Sequence, residues 1–547
     1  MRILLIYPPF ATTWPLGLGL GEPLGIAYIA AAIEQSGRHG VDILDAVGSA
    51  SEFQKTEDGE WHWVGLSHEQ VLADMGTRTF DAIGISVSRT SSVDTGVEAL
   101  IRAIRQAFPT TPLIVGGPEV SHCWDRYIAN LDIDYIVIGE GEKTIVELLD
   151  ALDGVITLDQ VRGIIRRSEN GEPIKAPDQP AQDVDTIPWP ARHLLPMDTY
   201  IEKRPTTELR AATILTSRAC PFRCAFCSTI HIWGNRWRGR SAADVVDEIA
   251  FLKARYGIEE IRIQDDNFCV KKRRVHEICD LMKQRALNVR LHVDPGVMAA
   301  LADRELLSAL YDAGLRNLNM QLESGSPKTQ SYIDKKIDLD HVREMLDWSH
   351  HLGMFVRTNI ILGFPHETLD DMRESVRTAI ELPYDMIDFN LLEPKRYTRA
   401  WRDFVSLGLL SEDDIDPTIP VGTVHCSAQE VLNIQQWAVG EFRRSRQTLS
   451  LGRERVAVPG EIRIEQGHCF IIRLPEGRDI ADHADNPMQS PLRIFEDDAP
   501  LTKAHSQHDI IRTLGNGSYS HWGDYVYFSS LDNSDPRVNG RTYRLFY

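Results

Sequence analysis

The stretch ATILTSRACPFRCAFCST, Ala212–Thr229, decides how this chain is read. An apolar run feeds three cysteines, Cys220, Cys224 and Cys227, with three residues between the first pair and two between the second. That spacing gathers three thiolates on one tight loop. Thiolates ligate iron–sulfur clusters and tetrahedral zinc, and both usually take four protein ligands. The next cysteine, Cys269, lies 42 positions beyond Cys227 (269 − 227). Three close thiolates point to a cube with one iron left open to a small molecule. A Cys3His zinc site using His231 is a second reading, and a disulfide with a spare thiol is a third. The chain has 8 cysteines in 547 residues. It shows no signal-peptide pattern and no apolar run long enough to cross a bilayer, the usage expected of a reducing cytoplasm.

Downstream of the loop, short apolar strands alternate with helical patterns. Ser241 and Asp244 mark a helix start before ADVVDEIAFLKARYG. The strands IEEIRIQDDNF (258–268), LHVDPG (291–296), LRNLNMQLESGS (315–326), FVRTNIILGFP (355–365) and MIDFNLLEP (386–394) follow, each after a helix. With the strand before the cysteines, this makes six βα units over 206–405. The expected fold is a partial parallel (β/α)6 barrel with its chemistry at the strands' C-terminal ends.

Upstream, residues 1–150 read as a doubly wound parallel sheet, strands alternating with helices. Ligands of such sheets bind beyond the strand C-termini. The residues there are Pro8, Pro9, Ser86, Ser88, Gly116, Gly117, Glu140 and Gly141. Residues 151–205 read as a connector with a hairpin turning at Asn170-Gly171 and a proline-rich strap. A helical segment (406–455) and a small all-β module (456–547) follow the barrel. The aromatic cluster Tyr519, His521, Trp522 and Tyr525 reads as a cap or dimer contact, with sugar binding as the alternative.

Charge and composition bound the function. Lys and Arg number 59 against 79 Asp and Glu, a formal charge of −20. That argues against nucleic acid as a partner. The basic run Lys271–Arg274 reads as a solvated helix start.

The cysteine loop and the strand-end motifs together resemble the radical S-adenosylmethionine (SAM) superfamily, whose CxxxCxxC loop holds a [4Fe–4S] cluster. The resemblance implies that Cys220, Cys224 and Cys227 ligate the cluster and that Phe226 packs near the adenine. In QDDN it implies that Asp265 and Asp266 receive the methionine ammonium. Glu323 and Ser324 match the ribose position, and Gly363, Phe364 and Pro365 the turn that meets adenine. Lys335 or Lys336, or Arg357, would hold the SAM carboxylate.

The first 150 residues resemble the cobalamin-binding domain that precedes many radical SAM domains. Pro8, Ser86, Ser88, Gly116, Gly117, Glu140 and Gly141 are then the cobalamin residues. One departure stands out. Where a D-x-H-x-x-G motif supplies a histidine to cobalt, this chain reads PPFATTWPLGLG, so no histidine from that motif ligates the metal. A site that has lost cobalamin is the alternative. A second departure follows the last barrel strand, where EPKRYTRAW replaces a P-x-P-G-T-like turn and leaves Arg396 and Tyr397 as candidates for the substrate wall.

The combination implies a cobalamin-dependent radical SAM methyltransferase that moves a methyl group from SAM, through methylcobalamin, to an unactivated carbon of a small molecule. Its electrons would come from an external flavodoxin- or ferredoxin-type donor, with neither nucleic acid nor membrane as partner. Cyclisation or rearrangement with the same cofactors is an alternative, and a non-catalytic cobalamin or iron–sulfur sensor is another.

Overall fold

A computed structural model describes residues 1–12, 21–50, 53–55, 62–87, 93–94, 96–203, 209–335, 337–414, 419–448, 454–483, 490, 492–497, 499–501 and 503–547. The chain forms two compact units. The first is Met1–Gly296 with Ile333–Lys335 and Leu392–Val421; the second is Val297–Tyr332, Lys336–Leu391 and Gly422–Tyr547.

The first unit opens with the expected α/β sheet. Its elements are β1 (Arg2–Tyr7), α1 (Leu24–Ser36), β2 (Gly40–Asp45), β3 (Ala82–Ser86), α2 (Val97–Ala107), β4 (Leu113–Gly116), α3 (Pro118–Asn130), β5 (Tyr135–Val137) and α4 (Gly141–Leu152). β2, β1, β3, β4 and β5 pair in that order, all parallel. Parallel strands covered on both faces read as continuous apolar runs, and β1 does: Ile3, Leu4, Leu5 and Ile6 are all buried. In α2 the buried residues Val97, Leu100, Ile101 and Ile104 follow the helical repeat and form one apolar stripe.

The sheet is wider than the sequence pattern implies. The hairpin β6 (Ile164–Arg167) and β7 (Pro173–Lys175) adds to β5 antiparallel, making seven strands in the order β7-β6-β5-β4-β3-β1-β2. This hairpin of the connector forms the edge of the sheet. A second small sheet, unanticipated from sequence, pairs Phe10–Thr12 with His62–Val64 and Val93–Asp94, and His62–Val64 with Phe53–Lys55. Strands of two or three residues carry too little periodicity to read.

The first barrel strands complete this unit. They are β8 (Ala211–Ile214), β9 (Ser217–Arg218), α5 (Thr229–Trp233), β10 (Arg238–Gly239), α6 (Ala242–Tyr256), β11 (Glu260–Ile263), α7 (Lys272–Gln284) and β12 (Arg290–Val293). β8, β11 and β12 are parallel neighbours. The Ser241 side chain caps α6 by accepting the Asp244 N–H, and Gly257 closes it in the left-handed conformation.

The second unit carries β13 (Val297–Met298), α8 (Arg304–Asp312), β14 (Asn317–Gln321), α9 (Leu339–His351), β15 (Phe355–Leu362), α10 (Leu369–Glu381) and β16 (Met386–Leu391), with β13-β14-β15-β16 parallel. The helix α11 (Ala428–Thr448) follows. Two four-stranded antiparallel sheets end the chain. One orders β17 (Glu454–Ala457), β24 (Tyr543–Phe546), β20 (Arg493–Glu496) and β21 (Ala499–Pro500); the other orders β18 (Arg463–Gln466), β19 (Cys469–Arg473), β23 (Tyr525–Phe528) and β22 (Tyr519–Trp522). Phe470, Ile472, Ile494, Val526, Phe528 and Leu545 fill their common core. Tyr519 and His521 are buried, and the Tyr519 hydroxyl donates to the Leu492 carbonyl, so these two serve the module's interior. No helix among the described residues is long and apolar enough to cross a membrane.

Candidate functional site

The cysteine loop is built on a closed base. β9 and β10 pair antiparallel, Ser217 with Gly239 and Arg218 with Arg238, so residues 219–237 leave and return at one point. The strand end entering this base is held tightly. Asp265, fully buried after β11, accepts the Thr216 N–H and hydroxyl, each at 2.6 Å, and the Ser217 hydroxyl at 2.5 Å. Arg274 donates to the Thr216 carbonyl at 2.6 Å and the Arg240 carbonyl at 2.6 Å. It is buried rather than solvated, a correction to the reading of the basic run. Ala219 then turns with φ of 67°, a left-handed conformation that costs a non-glycine residue energy, and delivers Cys220.

Within the loop the Cys227 N–H donates to the Cys224 carbonyl at 3.1 Å. The Ala225 N–H donates to the Ile333 carbonyl, and the Ala225 carbonyl accepts from the Ala400 N–H, so Ala225, between Cys224 and Phe226, is pinned from two sides. The three cysteines and Phe226 are half-buried, and none of the eight cysteines is in a disulfide. Burial pushes the Cys220 thiol up, partly offset by the Phe222 N–H and by Asn267, whose amide nitrogen lies 3.8 Å from Cys220 Sγ. Among the described residues no three Cys, His, Asp or Glu side chains converge on a single-ion position.

A cavity of about 320 Å³ opens beside this loop, inside the first unit. Ser86, Gly116, Gly117, Glu140 and Gly141 line it from the strand ends of the N-terminal sheet; Arg218, Gln264 and Asp266 line it from the barrel strands. Gly117 is required here. Its φ is 121°, and an added Cβ would lie 2.4 Å from the Val87 carbonyl oxygen. Gly25, on α1, also lines the cavity, and a Cβ there would meet nothing outside its own helix within 4 Å. Pro8 is buried but does not line the cavity. Ser88 and Lys336 lie outside the described residues.

The QDDN pair divides its work. Asp265 spends its oxygens on Thr216 and Ser217. Asp266 lines the cavity and accepts the Thr229 hydroxyl at 3.1 Å. Burial raises the carboxyl pKa of both. Lys335 is buried in the same unit.

Apart from Arg396 and Tyr397, which lie in the first unit, the remaining candidates belong to the second. Glu323, buried at φ 64°, closes β14, and the Ile361 N–H donates to its carbonyl at 2.8 Å. The Ser324 hydroxyl pairs with the Ser375 hydroxyl of α10 at 2.7 Å. Arg357 is engaged with Asp388 at 2.7 Å. Gly363 turns at φ 95°, Phe364 is fully buried, and the Pro365 carbonyl accepts the Val424 N–H. The sequence reading missed the residue that shapes this turn. Glu367 accepts the N–H groups of Gly363 and Phe364, each at 2.9 Å, and the Thr329 hydroxyl at 2.9 Å. It also missed Arg218 and Glu142, which pair beside the cavity. Arg396 pairs with Asp125 of α3 at 3.0 Å and lies 5.0 Å from the Tyr397 ring centroid.

Residues 18–149 match the B12 binding domain model and residues 214–379 the radical SAM superfamily model. The chain is a radical SAM protein with an N-terminal B12-binding domain. Such a protein takes a [4Fe–4S] cluster, SAM and cobalamin. An uncharacterized methyltransferase of Pyrococcus horikoshii is 29% identical over 415 residues, 75% of this chain and 84% of that one. The cytidylyl-2-hydroxyethylphosphonate methyltransferase of Streptomyces wedmorensis is 27% identical over 427 residues, 72% and 79%. An anaerobic magnesium-protoporphyrin IX monomethyl ester cyclase of Rubrivivax gelatinosus is 25% identical over 408 residues, 74% and 70%. Among solved structures, the radical SAM methyltransferase TsrM from Kitasatospora setae, with cobalamin and a [4Fe–4S] cluster bound, shares the fold. Its TM-score is 0.60 at 20% identity, covering 74% of each chain.

Proposed function

We propose that this radical SAM protein is a cobalamin-dependent methyltransferase acting at an unactivated carbon of a small molecule. One observation carries the reading: a single cavity is lined both by the strand ends of the B12-binding sheet and by Arg218, Gln264 and Asp266 beside the cysteine loop. Cys220, Cys224 and Cys227 supply the donor set of a cluster with an open iron. Asp266, facing the cavity, is the acceptor for the SAM ammonium, and Asp265 positions the strand that enters the loop. Glu323 and Ser324 would take the ribose, and the Gly363–Pro365 turn the adenine. Phe226 would pack near that base, and Lys335, Lys336 or Arg357 would hold the SAM carboxylate. Ser86, Gly116, Gly117, Glu140 and Gly141 would face cobalamin.

Bound, these cofactors supply one-electron cleavage of SAM and a carrier for the methyl group. The protein's own part is to hold them, orient them and keep water out. The electron comes, on this reading, from an external flavodoxin- or ferredoxin-type donor, and the reaction proceeds in the cytoplasm.

The test is turnover with SAM carrying a deuterated methyl group and candidate acceptors, read by product mass. Label in the product supports methyl transfer. The relationship to cyclases keeps one competitor specific: an altered product without label would establish rearrangement or ring closure instead. SAM left intact with reductant and every acceptor would favour a sensor.

A further inference from the structure

The two arginines at the base of the cysteine loop stand side by side. Arg218 and Arg238 are direct partners across β9 and β10, and like charges in that position repel. Two carboxylates from the B12-binding domain resolve the conflict. Glu140, at the N-terminal boundary of α4, accepts from Arg218 at 3.2 Å and from Arg238 at 3.1 Å, with a second Arg238 contact. Glu142, in the first turn of α4, accepts from the other nitrogen of Arg218. Arg218 also lies 5.3 Å from the Tyr28 ring and 5.8 Å from the Trp233 ring. The box is nearly sealed: Arg218 and Glu142 are 8% and 6% exposed.

Buried ion pairs are a poor route to stability, because desolvation consumes most of their attraction. This box has another property. Glu140, Gly141, Glu142 and Arg218 all line the cavity. Glu142 Oε2 is buried and accepts no hydrogen bond within the protein. A buried carboxylate oxygen without a donor is costly, and here it belongs to a residue on the wall of a ligand cavity. Cobalamin carries a fringe of carboxamide side chains whose N–H groups are donors.

We propose that Glu142, held by Arg218, accepts a carboxamide N–H of cobalamin, and that Arg218 passes the position of that contact to the cysteine loop two residues away. Arg218 is then a positioning residue that couples cobalamin occupancy to the geometry of the cluster. The inference rests on the cobalamin assignment.

The full-length protein with reconstituted cluster is titrated with hydroxocobalamin, followed by absorbance. The reduced cluster is recorded by electron paramagnetic resonance with and without cobalamin. Glu142→Gln preserves volume and is the principal variant; Arg218→Lys and Arg218→Met follow. Affinity should fall roughly ten- to hundredfold in Glu142→Gln and Arg218→Met, with partial recovery in Arg218→Lys. Cobalamin should shift the cluster signal of the native protein but not of Arg218→Met. A purely structural box would lower the melting temperature and leave affinity, measured well below melting, unchanged; that result overturns the proposal. Should Arg218→Met not fold, Glu142→Gln alone decides. A native protein that binds no cobalamin would sink the cobalamin assignment together with this inference, whereas native binding with unaltered variants sinks the inference alone.

Discussion

Asp265 and Thr216 lie 49 positions apart, and the Asp265 carboxylate accepts both the N–H and the hydroxyl of Thr216 at 2.6 Å. The bond joins the end of β11 to the strand that enters the cysteine loop. Replacing Asp265 by Asn presents an amide N–H to hydroxyl and amide donors. The variant should lose about 2–4 kcal/mol, seen in denaturant unfolding, and bind cluster iron poorly. Asp266→Asn should unfold within about 1 kcal/mol of the native protein yet bind SAM at least about tenfold more weakly. Equal effects from the two would refute this division of labour.

Glu367 gives a pH signature. Burial pushes its carboxyl up to about 7, against three donors that favour the charged form. The native state therefore keeps a proton that the unfolded chain, titrating near 4.5, has already lost. The stabilisation is complete below pH 4.5 and is lost as pH rises through 7. It amounts to about 3 kcal/mol at most. Glu367→Gln should flatten this part of the stability profile; an unchanged slope between pH 5 and 7.5 would refute the assignment.

Arg192 sits where the sequence shows only a proline-rich strap. It is buried, with Glu22 at 3.2 Å and Glu248 at 2.7 Å, and donates to the Thr213 carbonyl at 2.6 Å. Arg192→Ala leaves the buried Glu22 without its cation and Glu248 with Arg240 alone, and should cost about 3–5 kcal/mol in chemical denaturation. A loss below about 1 kcal/mol would show that the network is not needed.

Gly117→Ala tests the cavity wall. The added Cβ meets the Val87 carbonyl oxygen at 2.4 Å, and φ of 121° is unfavourable for alanine. The variant should lose at least about 2 kcal/mol and bind cobalamin weakly. Native-like cobalamin affinity would mean that this turn does not shape the site.

The alternating strands and helices of the parallel sheets and the cysteine loop were legible because each rests on local pattern: apolar runs of four to eight residues, punctuated by helices, and a spacing of ligand residues. Arg218 and Glu142 were not, because their pairing joins residues 76 positions apart, which no local pattern reveals. The same holds for Asp265. Sequence places two adjacent carboxylates at a strand end, and only the fold shows one turned toward Thr216 and the other lining the cavity. The hairpin at 164–175 was visible, but its attachment to β5 depends on an edge whose neighbour the sequence does not name.

Metal content tests the cluster and cobalamin assignments most directly. Native protein and Cys224→Ala are purified anaerobically, reconstituted with iron, sulfide and hydroxocobalamin, and analysed for iron, zinc and cobalt. The native chain should hold about four irons and one cobalt, and the variant should lose the cluster iron and its absorbance while keeping cobalt. Full iron in the variant, or zinc in place of iron in the native chain, would contradict it.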